Sequence, residues 1–322
     1  MTTKFLWLAA LALGSVRAQT LLNVSYDVSR ELFAHYNRLY QSQHPGVEIK
    51  QSHAGAAKQA LAILQGLPAD VVTFNQVSDI DLLAQRGQLL PSHWADRLPQ
   101  QSSPYYSISV FLVRPGNPKA IRDWDDLTRP DVAIVLPNPK TSGNGRYSYL
   151  AALAYAQQRY PQDPAAQQDF LRRLLARVVA LDGGSRSATG SFVERQRGDV
   201  LLSFEAEALA IQQQLGAGYE IIRPPLTIKA EFPVAWLDAN TEAHGTTAAA
   251  IDYLRGLYRP EGQRLLAQHF FRPSDPAILA EFGERFPPVQ LRTVAEVAGS
   301  WTAALGDHFA PGALLDQLQR RP

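Results

Sequence analysis

From Leu21 onward, short apolar runs alternate with stretches whose apolar residues recur every three or four positions. The run 21–26, Leu-Leu-Asn-Val-Ser-Tyr, predicts a buried strand. The stretch 29–43 sets Leu32, Phe33, Tyr36, Leu39 and Tyr40 on one face and predicts a helix. Strands are expected again at 47–49 and 70–74, with helices at 57–64 and 78–85. This alternation argues for parallel strand–helix–strand units. The run 107–113, Ser-Ile-Ser-Val-Phe-Leu-Val, breaks the rhythm and is expected to cross into a second lobe. A fresh alternation follows, with strands at 132–135, 178–181, 200–204 and 219–222 and helices at 147–160, 190–197 and 205–215. The stretch 231–237 reads as the return crossing and 246–257 as a further helix. The expected fold is α/β with two lobes: 19–107 and 234–285 form the first, 108–233 the second, and 286–322 a C-terminal helical segment.

The first eighteen residues stand apart. Lys4 precedes nine apolar residues, 5–13, and Val16 and Ala18 occupy the −3 and −1 positions of a cleavage site after Ala18. Nine residues are too few to span a bilayer but suit an export signal, so a periplasmic mature chain beginning at Gln19 is expected.

Composition narrows the chemistry. With 322 residues, 46% of them apolar, the chain is too long for one core and too apolar for disorder. Its 31 basic and 30 acidic residues give a formal charge of +1, or 29 against 30 once Lys4 and Arg17 are removed. Such a balance gives no general pull toward nucleic acid. The absence of cysteine excludes disulfides, thiolate zinc sites, iron–sulfur clusters and cysteine nucleophiles. Seven scattered histidines form no His-Glu-x-x-His pair, so neither a metal nor a cofactor is expected.

Four turns share one design, in which a strand runs through small or polar residues into a helix. They lie at 25–27, 52–56, 141–145 and 183–187. In open parallel sheets such turns collect at the carboxyl ends of the strands, where ligands bind. Helix starts also offer unpaired N–H groups and the positive end of the helix dipole. Four of them meeting at a cleft would hold a small anion without Lys or Arg. Ser142 lacks a Gly-x-Ser-x-Gly elbow, and 141–145 lacks a P-loop pattern. A Ser142-dependent hydrolase is therefore the weaker, cross-class reading, and a non-enzymatic receptor the stronger.

The string 21–27 with Arg30-Glu31-Leu32 resembles the mature start of the periplasmic sulfate/thiosulfate-binding proteins of ABC transporters. So do Ser52-His53, Lys58-Gln59, 69–73, Ser103-Pro104-Tyr105, 111–114, Asn138-Pro139-Lys140-Thr141-Ser142-Gly143, 192–195, 198–201, 260–263 and Phe271-Arg272-Pro273. The resemblance implies a type II periplasmic-binding-protein fold. It further implies a monomeric receptor that closes over a dehydrated tetrahedral oxyanion and passes it to ABC permease subunits. Carried over by position, Asp27, Gly143, Asn144 and Ser185 offer backbone N–H groups and Ser142 a hydroxyl. Ala56 stands where the family has Ser, and Ser185 where it has Ala. Arg146 and Arg186 match family arginines expected behind the helix starts. Ser52 and His53 are expected to brace their loop.

Two departures bear on the ligand. Phe204 replaces a Trp whose indole donates to the anion in the family, and Asn144 replaces a Gly, adding bulk and the prospect of an unusual φ. Either an inorganic sulfur oxyanion is retained, or a larger anion such as an organosulfonate or sulfate ester packs on Phe204. Trp236 is expected as a hinge residue, with a replacement indole donor as the less favoured role.

Overall fold

The computed structural model describes residues 19–216 and 218–319; the expected export signal, 1–18, lies outside the described residues. The strands are β1 (Gln19–Tyr26), β2 (Val47–Ala54), β3 (Val71–Thr73), β4 (Tyr105–Val113), β5 (Ile134–Pro137), β6 (Val178–Asp182), β7 (Val200–Phe204), β8 (Glu220–Ile222), β9 (Leu226–Phe232), β10 (Val234–Trp236), β11 (Arg272–Pro273) and β12 (Gln290–Arg292). They form two sheets flanked by helices, the α/β architecture expected. The smaller runs β10-β3-β1-β2, with β1 parallel to β2 and β3 and with β10 antiparallel. The larger runs β12-β9-β4-β7-β5-β6, and β8 and β11 also pair with β4.

Burial follows position in each sheet. β1 is central and buried from Asn23 through Tyr26, as a strand covered on both faces must be. At the edge, β2 leaves Glu48 and Lys50 exposed, and charge there discourages further strand pairing. All nine residues of β4 are buried because it carries neighbours along both sides.

Two crossings link the sheets, and both differ from the sequence expectation. The outward crossing occurs before β4, between Thr73 and Tyr105, since β4 lies wholly in the larger sheet. The return stretch is two strands rather than one. Phe232 pairs opposite Tyr105 in the larger sheet and Val234 opposite Thr73 in the smaller, with Pro233 between them. Proline has no N–H for either ladder, so the chain changes sheets there. Its carbonyl remains in use, accepting Phe74 N–H at 3.0 Å.

Helix starts shift where caps decide them. The helix expected at 147–160 is Gly143–Arg159, begun by Ser142, whose Oγ accepts Gly145 N–H at 3.4 Å. The helix expected at 190–197 is Ser185–Val193, and Ser187 Oγ accepts the Gly184 N–H at 3.1 Å. A helix absent from the expectation, Pro164–Leu175, has Asp163 accepting Ala166 N–H at 3.0 Å and Pro164 in its first turn. The C-terminal segment is mostly short helices, but it also supplies β12, parallel to β9. It lies along the Gly143–Arg159 helix, with Trp301 edge-on to Tyr147 and Lys140 Nζ donating to the Phe309 and Ala310 carbonyls.

Candidate functional site

The carboxyl ends of β1, β2 and β3 face those of β5 and β6 across one cleft. Its walls include Asp27, Ala56, Ser142, Gly143, Arg146, Ser185 and Arg186. The helices Ala56–Leu64, Gly143–Arg159 and Ser185–Val193 start there, as does the short 3₁₀ turn Asp27–Ser29 leading into Arg30–Gln43. Their first N–H groups have no intrahelical acceptor, so the cleft collects backbone donors from both sheets.

Two arginines of the larger-sheet side reach across. Arg186 Nη2 donates to Asp27 O at 3.1 Å and to the Glu31 carboxylate at 3.3 Å. Arg146 is half-buried and uses all three nitrogens: Nε on Pro139 O, Nη2 on Lys140 O and Nη1 on Gln76 Oε1 at 2.6 Å. Burial lowers the Arg146 pKa, countered by Asp79. Arginine nonetheless remains a cation.

Asn144 and Phe204, expected at the ligand, stand behind the cleft wall. Asn144 is wholly buried in an ordinary helical conformation, so its added bulk requires no unusual φ. Its Nδ2 donates to Ser185 Oγ at 2.9 Å and Ser203 Oγ at 3.2 Å, so the added side chain braces two helix starts from behind. Phe204 does not line the cleft. Its ring is buried between Tyr147 and Phe232, at 5.8 and 5.3 Å between centroids, which leaves no open face for an organic group. Trp236 donates Nε1–H to Asp238 Oδ1 at 3.2 Å beneath the Arg97 guanidinium, away from the cleft. Ser52 pairs with Gln59, whose Nε2 donates to its Oγ at 2.9 Å. His53 Nδ1 lies 3.3 Å from Tyr26 O, and burial pushes its pKa down, so a neutral ring donating to that carbonyl braces the loop. Glu205 faces the opposite way, onto Arg272 and Arg223.

A fifth turn of the same design, after β3, was missed. It brings Asn75, Gln76 and Asp79 into the wall. The signal was present in Phe74-Asn75-Gln76, polar residues between a strand and a helix. Asp79 is buried, and burial pushes its carboxyl up from 3.8 to about 6 against the pull of Arg146. A raised folded-state pKa means that ionised Asp79 opposes folding above pH 6, and that the penalty fades as pH falls toward 4. Asp79→Asn is therefore expected to stabilise the protein at pH 7.5 by roughly 1–3 kcal/mol. The gain should fall to about a third of that near pH 4.5 and fade out only below the unfolded carboxyl's ordinary value of 3.8. Urea unfolding at both pH values checks this, and a pH-independent difference would overturn it.

The bacterial extracellular solute-binding protein model matches residues 22–272. The chain belongs to that family. Among its relatives, the thiosulfate-binding protein of Escherichia coli is 48% identical over 95% of this chain and 92% of that protein. The thiosulfate-binding protein of Pseudomonas aeruginosa is 45% identical over 96% of each, and the sulfate-binding protein of Salmonella typhimurium 45% identical over 94% and 93%. Among solved structures, the sulfate-binding protein SubI from Mycobacterium tuberculosis superposes with a TM-score of 0.81 at 34% identity, covering 90% of this chain and 99% of that one. The ferric binding protein from Campylobacter jejuni shares the fold alone, with a TM-score of 0.66 at 14% identity over 93% of this chain and all of that one. In this solute-binding protein no described helix is long and apolar enough to cross a membrane.

Proposed function

We propose that this chain captures thiosulfate or sulfate between its two sheets and delivers it to the membrane subunits of an ABC transporter. The observation that carries this reading is the meeting of four helix starts, from both sheets, at one cleft. A fully ionised tetrahedral anion accepts at every vertex and needs only donors, which helix starts supply. The names of the relatives support the same ligand class. The receptor acts as a monomer outside the cytoplasm, with 1–18 as its export signal, and performs no chemistry on the anion. Ser142 then serves as helix cap and hydroxyl donor rather than nucleophile.

Calorimetric titration of the mature chain with sulfate, thiosulfate, phosphate and an aryl sulfonate tests this. One-site binding of sulfate or thiosulfate is expected. The aryl sulfonate should fail, because Phe204 offers its ring no surface. If neither inorganic sulfur anion binds, the reading is wrong.

A further inference from the structure

The turn after β3 places one buried donor where nothing yet accepts from it. Gln76 is 2% exposed, and its Nε2 is buried with no hydrogen-bond partner among the described residues. Its other amide atom is committed: Oε1 accepts Arg146 Nη1 at 2.6 Å. A guanidinium only donates, so this contact settles which end of the amide is which and turns the NH₂ away from Arg146. That NH₂ lies 2.5 Å from the point a Cβ on Gly143 would occupy, over the first residue of the Gly143–Arg159 helix. It therefore faces another set of donors across the cleft. Two donors opposed in a buried space want an acceptor between them.

We propose that Gln76 Nε2 donates directly to the bound oxyanion, with Arg146 as the positioning residue that aims it. The assignment rests on the oxyanion reading above and adds to it a side-chain donor from the smaller sheet. It also gives Arg146 a part in binding without contact: the arginine holds the amide by its oxygen, and the anion takes it by its nitrogen.

Two substitutions separate a donor from a brace. In Gln76→Glu the carboxylate still accepts from Arg146, so a merely structural role survives, while the donor becomes a negative charge facing the anion. In Gln76→Met the size is kept, and the donor is lost, together with the oxygen that accepts from Arg146, without added charge. Sulfate and thiosulfate are titrated into all three proteins, and ligand-free thermal unfolding confirms that each variant is folded. Expected is a loss of about tenfold to a hundredfold in affinity for Gln76→Met, and a larger loss for Gln76→Glu. A folded variant of either kind that binds within about threefold of wild type overturns the assignment. Should Gln76→Glu not fold, Gln76→Met decides alone. If wild type binds neither anion, the oxyanion reading falls and takes Gln76 with it; if wild type binds and the variants match it, only the Gln76 assignment fails.

Discussion

Replacing Glu205 with alanine is expected to lower the unfolding free energy by about 3–5 kcal/mol, much of what a domain ordinarily has. Glu205 is wholly buried at the start of the Glu205–Leu215 helix. Its two oxygens take Arg272 Nε at 2.6 Å and Nη2 at 3.0 Å, and Arg223 Nε at 2.5 Å. Arg272 is itself 2% exposed. Without Glu205 that guanidinium would keep, among the described residues, one hydrogen bond to the Pro287 carbonyl, at 3.1 Å, and the face of Phe286, at 5.4 Å, with no anion beside it and out of water. The penalty is thus an uncompensated buried charge rather than the loss of three hydrogen bonds. Urea unfolding followed by tryptophan fluorescence measures it. Glu205→Leu combined with Arg272→Met should cost less than Glu205→Ala alone, because it removes both charges. A loss below about 1 kcal/mol for the single variant would show that water reaches Arg272.

Gly143→Ala should divide stability from binding. As the first residue of its helix, alanine is at least as good a helix former as glycine, so thermal unfolding should hold or rise slightly. Binding should fall steeply. The new methyl would sit 2.5 Å from Gln76 Nε2, 3.0 Å from Gln76 Cδ and 3.1 Å from Asn75 Nδ2. These atoms belong to the opposite wall, so the methyl holds the walls apart or displaces the Gln76 amide that Arg146 positions. Each hydrogen bond to a charged ligand is worth roughly 1.5–3 kcal/mol, and losing even one weakens affinity about tenfold to a hundredfold. A loss of a hundredfold or more is expected, because under the proposed reading donors of both walls hold the anion together. Calorimetry with thiosulfate and sulfate reads it out. Unchanged affinity would mean that the anion sits away from the Gly143 helix start.

Much of the fold was legible because it is written locally. β7 and the helix after it lie at the expected residues, 200–204 and 205–215, since an apolar run and a helical period meet there at Glu205. The four turns likewise announced themselves as small and polar residues between such elements, and all four line the cleft. Caps were harder to read. Ser142 and Asp163 start helices through single hydrogen bonds that do not alter hydrophobic period, so one helix was expected four residues late and another not at all.

Side-chain direction within fully buried strands was not legible. Successive strand residues point to opposite faces, and the face shows in a sequence only when polar and apolar residues alternate. β7 is buried at every position. Nothing local tells that Ser203 turns to Asn144 while Phe204 turns to Tyr147 and Phe232. Glu205 depends on Arg223 and Arg272, eighteen and sixty-seven residues away. Gln76 depends on Arg146, seventy residues on. Periodicity, turn chemistry and composition act over a few residues, so the α/β alternation and the helix starts at the cleft can be read from the chain alone. Which side chains line the cleft depends on the tertiary structure, because a buried polar group turns toward whatever partner the fold brings to it.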